Sequence, residues 1–306
     1  MASRAPPLLE PYLHLPHETS LILLSGVLGS STNWLVHRYL YTLLASQPPS
    51  SSFISSSSFR RQQDESLEEG GGGGGGAEEP QQQQHTSVVF VSFLRDYAFW
   101  RDGSRRLGLD LDVASKKGSF VFIDGLTSLF TPASDHRRKQ SVVDSGKKVL
   151  LSATTDHFRQ VLEDALSHAQ ALNPGTQTVL VIDQPDIFLA TAGDTMSGQG
   201  LRGVILGLRE KVHSCIITVS ADEPLIAAQG TSLEQEHASL ALSLAHDAHF
   251  VISLRMLETG TAKDVSGVLR ITPGGDEEIA DALVEDRELL YFIRGDGSVR
   301  VFERGQ

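Results

Sequence analysis

The chain holds no lysine before Lys116 and a single cysteine, Cys215. One cysteine excludes an internal disulfide and fits a reducing compartment. Cys215 lies in the apolar run CIITV and reads as a buried small hydrophobe. Apolar runs stay strand-sized, well short of the roughly 18 residues that a membrane span needs. The opening stretch, MASRAPPLLEPYLHLPHETS, lacks the basic-then-apolar order of a signal peptide. An intracellular chain with no membrane partner is therefore expected. Positive charge is scarce: 26 Lys and Arg stand against 38 Asp and Glu, a net charge of -12. Such a molecule repels nucleic acid as a whole and needs a locally basic patch to hold it. His237, His246 and His249 lie near a helix end without an H-E-x-x-H pattern, so no metal site and no cofactor are expected. A G-x-S-x-G nucleophile elbow is missing too.

What is present, in 306 residues at 40% hydrophobic composition, is enough for a sizeable core. Residues 46–86 stand apart. They carry the serine run Ser55 to Ser58, the glycines Gly70 to Gly76 and the glutamines Gln81 to Gln84. Such a composition buries too little apolar surface to offset its ordering entropy. It reads as a disordered low-complexity insertion within one domain spanning 1–306, because the strand-and-helix pattern resumes beyond it. No repeat at a period of 20–50 residues is found.

Strands are expected at Leu21–Ser25, Val88–Phe93, Phe120–Asp124, Thr178–Asp183 and Cys215–Val219. Helices are expected at Trp34–Ala45, Tyr97–Leu107, Asp156–Ala171, Gly200–Val212 and Ser232–Asp247. Alternation of this kind implies an α/β fold, a mostly parallel twisted sheet with helices on both faces. Strands apolar along their whole length agree with double coverage. The end changes character. Four short strands (Phe250–Leu254, Val268–Ile271, Glu288–Phe292, Val299–Phe302) follow without long helices between them, and RGDGS, Arg294–Ser298, is a hairpin signal. They imply an antiparallel extension at one edge.

The stretch LILLSGVLGSSTNWLVHRYL, Leu21–Leu40, has the layout of a strand, a phosphate-cradling turn and a helix. A working phosphate loop reads G-x-x-x-x-G-K-[ST]; its lysine reaches the outer phosphates and its hydroxyl holds Mg2+. Counting from Gly26 places Ser31 at the second glycine, Thr32 at the lysine and Asn33 at the hydroxyl position. Gly29 remains inside the turn. A helix start with Ser31 or Thr32 as N-cap is the ordinary alternative. Asp183, ending TVLVID, stands where a Mg2+-holding acid belongs, and Asp124, ending FVFID, resembles it; either could equally cap a turn. At the end of the second strand, where recombinase-type ATPases carry a glutamate, Leu94 and Arg95 stand instead. Loss of three elements together points to a degenerate, non-catalytic ATPase fold. An active ATPase with an atypical loop, using Asp183, is the rival reading. A dinucleotide fold is disfavoured, because Gly26 and Gly29 are spaced G-x-x-G and no third glycine follows.

The segment SFLRDYAFWRDGSRRLGLDL, Ser92–Leu111, closely resembles a segment of the Elongator complex protein 6 family. LLSGVLGSSTNWLVHRYL, GSFVFIDGLTSLF and LVIDQPDIFLAT resemble its frame. The likeness runs from about Leu21 to the end, excluding 46–86. The resemblance implies a RecA-like fold lacking the nucleotide motifs, in a non-catalytic subunit. It also implies a hetero-hexameric ring with two related RecA-like subunits, two copies of each, inside the Elongator complex alongside its other subunits. That ring engages tRNA, and a separate catalytic subunit modifies the wobble uridine. The family is linked with ATP-dependent release of tRNA by the ring. Cytoplasm and nucleus are the compartments implied.

Two surfaces are then expected. Phe99 and Trp100, beside Arg95, Arg101, Arg105 and Arg106, have the aromatic–arginine character of subunit contacts. Alternatively Trp100 packs on its own sheet. The segment 132–150 is the most basic window, with Arg137, Arg138, Lys139, Lys147 and Lys148 against Asp135 and Asp144; it reads as a solvated mobile loop or as a loop that touches tRNA phosphates.

Overall fold

The computed structural model describes residues 5–45, 85–130, 147–258, 260, 262–275 and 284–305. In chain order these form α1 (Glu10–Leu13), β1 (Leu21–Gly26), α2 (Asn33–Ala45), β2 (Thr86–Ser92), α3 (Tyr97–Arg106), α4 (Leu111–Lys116) and β3 (Phe120–Asp124). Next come α5 (Thr127–Phe130), β4 (Lys147–Val149), α6 (Thr155–Leu172), β5 (Gln177–Asp183), α7 (Pro185–Ala192), α8 (Gly198–Arg209) and β6 (Ser214–Ser220). The remainder is α9 (Ser232–Asp247), β7 (Phe250–Arg255), β8 (Gly267–Pro273), β9 (Arg287–Ile293) and β10 (Val299–Phe302).

One ten-stranded sheet holds them in the order β10-β9-β8-β7-β1-β6-β5-β2-β3-β4. From β7 to β4 every neighbouring pair is parallel, and β7 to β10 form the antiparallel extension. The central strands are apolar at successive residues because both faces are covered. Side chains alternate across a strand. Ile22, Leu24, Val88, Phe90 and Val181 therefore enter one core, with α2 and residues of α1, α3 and α4. Leu21, Leu23, Val89, Val91 and Leu180 enter the other, with α6, α7, α8 and α9. The Asp-Gly hairpin closes as expected: Arg294 N–H donates to Ser298 O at 2.9 Å, and Gly297 takes φ +81°.

Several expectations change. Thr86 already belongs to β2, where its hydroxyl donates to Leu43 O at 2.8 Å, so the last residue of the 46–86 segment is part of the sheet. Residues 46–84 lie outside the described residues. Lys147 and Lys148 are not in a loop but in β4, the outermost strand, paired with Phe122 and Ile123. Five short elements among the described residues, α1, α4, α5, α7 and β4, add to those that the sequence pattern predicts.

Parallel strands all end at one edge of the sheet. Register places Gly26 beside Ser220, Thr218 beside Asp183, and Asp183 beside Ser92. That edge, outside the carboxyl ends of the strands, is where ligands of open α/β sheets lie.

Candidate functional site

The turn from β1 to α2 is held by groups of this chain. Val27 N–H is within reach of Ser30 Oγ (3.1 Å) and Leu254 O (3.2 Å), and Ser30 N–H donates to Val27 O at 2.9 Å. Ser30 Oγ in turn contacts the carbonyls of Val27 at 2.8 Å and Leu254 at 2.9 Å. Leu28 N–H donates to Asp222 Oδ1 at 2.6 Å. Asn33 N–H donates to Ser31 Oγ at 3.2 Å. Thr32 is buried, and its carbonyl accepts from Leu35 and Val36 N–H. Gly29 sits at φ +89°, a conformation that strains any other residue, with the Met256 side chain 3.3 Å from where a Cβ would be. The Leu28 side chain at the tip is 87% exposed.

Four amides of the turn, those of Val27, Leu28, Ser30 and Asn33, are thus engaged by hydroxyls, carbonyls and a carboxylate. Asp222 is fixed by its own turn, since its carbonyl accepts from Leu225 and Ile226 N–H. The energetic balance is one-sided. The start of α2 offers an anion at most about 1 kcal/mol at an exposed site. A carboxylate about 4 Å from a phosphate opposes it by about 4 kcal/mol at an effective dielectric of 20. The loop has no lysine to offset that repulsion.

Asp183 occupies the expected place at the end of β5 and is fully buried. Its Oδ1 accepts from the Thr218 hydroxyl at 2.8 Å and its Oδ2 from the Ser92 hydroxyl at 2.7 Å. Burial pushes its carboxyl up to about 6, with the two hydroxyl bonds acting in the opposite direction. Gln184 follows with φ +56°; its N–H donates to Thr218 Oγ1 at 2.9 Å and its Oε1 accepts from Ser220 Oγ at 2.9 Å. Next to it, buried Asp186 accepts from Ser220 N–H at 3.3 Å and faces His237 at 3.9 Å. Burial raises the Asp186 carboxyl, and His237 counters that. His237 Nε2 contacts Ser220 O at 2.9 Å. Both Asp183 oxygens therefore already serve the joint between β2, β5 and β6.

Other candidates fall in ordinary roles. Asp124 accepts from Leu126 and Thr127 N–H at 3.1 and 2.8 Å and so opens α5. Asp96 caps α3 by accepting from Phe99 N–H at 2.9 Å. Trp100 is 0% exposed and packs edge-on against Phe90 at 4.7 Å, with the His37 ring 4.9 Å away. It is removed from the expected contact surface because its ring fills the core between sheet and α2. Phe99 remains 37% exposed beneath the Arg95 guanidinium, 5.1 Å from its ring. Arg101 is bonded to Asp102 at 2.9 Å. Arg137, Arg138 and Lys139 lie outside the described residues. Lys147 stands 3.6 Å above the Tyr97 ring, and burial lowers the Lys148 amine.

Sequence reasoning finds Asp183 but misses Asp222, Thr218 and Ser92. Asp222 lies 194 residues from its partner Leu28. For Thr218 a signal exists, a hydroxyl in the middle of an apolar strand.

A family model described as Elongation complex protein 6 matches residues 82–294. Elongator complex protein 6 homolog of Schizosaccharomyces pombe is 26% identical over 228 residues, covering 72% of this chain and 80% of that protein. Elongator complex protein 6 of Xenopus laevis is 25% identical (68% and 80% covered), and that of Homo sapiens 23% (71% and 80%). Among solved structures, a KaiC-like protein from the hyperthermophilic archaeon Pyrococcus horikoshii OT3 superposes with a TM-score of 0.54 at 16% identity. The match covers 99% of this chain and 98% of that one, and it identifies the fold as RecA-like.

Proposed function

The chain belongs to the Elongator complex protein 6 family, and from that premise we propose that it is a non-catalytic RecA-like subunit of an Elongator assembly. It joins two related RecA-like subunits in a hetero-hexameric ring, and the ring binds tRNA for wobble-uridine modification. One observation carries the non-catalytic part: Asp222 Oδ1, 2.6 Å from Leu28 N, sits on the loop where a triphosphate would place its own oxygens. Thr32 in the lysine position and Leu94 and Arg95 in place of a glutamate support the same reading. Arg95 and exposed Phe99 supply an aromatic–arginine surface for a neighbouring subunit.

Native mass measurement of the assembly purified through this chain tests the ring. Two copies each of this chain and two other RecA-like chains are expected. A homogeneous monomer would overturn it. The RNA part rests on the basic window. Replacing Arg137, Arg138, Lys139, Lys147 and Lys148 with glutamine in the assembled ring should weaken tRNA binding and flatten its dependence on salt. The log–log slope should fall by about 0.7 to 0.9 for each phosphate no longer neutralised. An unchanged slope would remove this segment from the tRNA surface.

A further inference from the structure

Ser220, the last residue of β6, is gripped through each of its polar groups. Its N–H donates to Asp186 Oδ2 at 3.3 Å, its carbonyl meets His237 Nε2 at 2.9 Å, and its hydroxyl donates to Gln184 Oε1 at 2.9 Å. The next two residues reach the loop after β1. Ala221 N–H donates to Gly26 O at 2.8 Å, and Asp222 Oδ1 accepts from Leu28 N–H at 2.6 Å. So short a stretch of chain has little reach to spare, and the hold on Ser220 sets where Asp222 can stand. That hold comes from separate elements: Asp186 lies in the first turn of α7, and His237 is on α9.

Protons decide the strength of the grip. A carbonyl only accepts, so His237 Nε2 carries a hydrogen. The other ring nitrogen, Nδ1, faces Asp186 Oδ2 at 3.9 Å, and both side chains are 5% exposed. That is too long for a hydrogen bond but close for charges in a poorly hydrated interior. Asp186 Oδ1 has no hydrogen-bond partner among the described residues. With one further proton on the pair, either an imidazolium faces a carboxylate or a neutral ring faces a neutral carboxyl. Without it, an unsolvated carboxylate faces a nitrogen lone pair, which is repulsive. Such a proton belongs to the pair rather than to either residue.

The surroundings supply no substitute cation. α7, β5, β6, α9 and the turn Pro224–Ala228 contain no lysine or arginine. On α8, Arg202 is bonded to Asp247 and Arg209 to Thr19 O and Asp247 O, at the far end of α9. Acids are closer. Buried Asp183 on β5 and Asp186 disfavour each other's charge, and Arg95 acts on Asp183. Glu234 and Glu236 on α9 are spent on the backbone N–H groups of Thr231 and Gly198, and Asp222 and Glu223 follow Ser220. Burial raises the Asp186 carboxyl, with His237 acting in the opposite direction. A carboxyl shifted upward by folding contributes stability that is full below its unfolded value and is lost as pH rises through its folded one.

We propose that Asp186 and His237 form a proton-operated clamp on Ser220, and that loss of their shared proton on raising the pH frees Asp222 from the loop after β1. The inference rests on the reading that Asp222 closes this loop, and adds that the closure is conditional.

Hydrogen exchange of the full chain, followed by mass spectrometry and corrected for the intrinsic effect of pH, tests it from about pH 5.5 to 8.5, across the range where histidine titrates. Peptides spanning residues 26–33 should lose protection at least about tenfold, since each unit of difference in proton affinity changes the closed-to-open ratio tenfold. His237→Gln keeps a donor for Ser220 O, and Asp186→Asn keeps an acceptor for its N–H; in both the pH dependence should vanish. Asp183→Asn should retain it. Equal protection at both ends of the range in the parent, or a pH dependence that survives in both pair variants, would overturn the clamp. Asp222→Ala should leave the loop unprotected at every pH; protection that this change does not alter would refute the closure itself, and the clamp with it. Should the pair variants not fold, ring-nitrogen NMR of the parent decides. The His237 resonances should shift with the same midpoint as loop protection, and unrelated midpoints would overturn the proposal.

Discussion

Asp183 shows how one residue can keep its place while its bonds are turned inward. It ends a strand at the ligand edge of the sheet, yet both oxygens accept hydroxyls from neighbouring strands. Its folded pKa, about 6, lies above the unfolded value near 3.9. A raised pKa means that the folded state binds the proton more tightly. Its contribution to stability is therefore full below about pH 4 and is lost as pH rises through about 6. The loss amounts to about 3 kcal/mol for a shift of this size. Asp183→Asn removes that titration. Urea unfolding at a series of pH values should show the variant gaining on the parent between pH 4 and 7. A difference that stays flat would mean that Asp183 ionises as easily folded as unfolded. Gly103 is a second residue-scale case. It lies in α3, where Ala would ordinarily gain about 1 kcal/mol. A Cβ there would overlap the His37 ring on α2, and overpacking of that kind costs about 1–3 kcal/mol. Gly103→Ala should therefore lower the unfolding midpoint; a rise would show that α2 and α3 pack loosely.

Elements differ in how plainly they announce themselves. The α9 start is explicit: Thr231 accepts from Glu234 N–H, and Glu234 reaches back to Thr231 N–H at 2.8 Å. Thr231→Ala should cost about 1 kcal/mol in chemical denaturation, and no change would mean that packing alone fixes the helix start. Strands such as FVFID and TVLVID are legible because a run buried on both faces leaves no polar residue to confuse its boundaries. Asp156–Ala171 is legible because Phe158, Leu162, Ala165, Leu166 and Ala169 recur at helical spacing and are all buried. The elements α1, α4, α5 and α7 escape a sequence reading because they are too short to show a period. The three-residue β4 is half-buried and reads as part of a basic loop. At the loop after β1, the missing lysine is visible in the sequence. The carboxylate that bonds the loop is not, because Asp222 follows the end of β6 and only the parallel pairing of β1 with β6 brings it there. Trp100 suits a subunit surface or a core equally well by sequence, and the crossing of α2 over β2 makes it core.

At the scale of the whole molecule, the sheet keeps the layout of a nucleotide-driven machine: parallel strands ending at one edge, cores on both faces, and a turn after β1 beside the end of β6. What differs is the polar pairing at that edge, where the groups that would meet a triphosphate and its metal bond one another instead. The most direct test of this claim is a crystal structure of the chain grown with Mg2+ and a non-hydrolysable ATP analogue. The expected result is an intact bond from Leu28 N–H to Asp222, with no phosphate density between Val27 and Thr32. Three phosphates seated on that loop, with Asp222 swung away and a metal ion at Asp183, would contradict it.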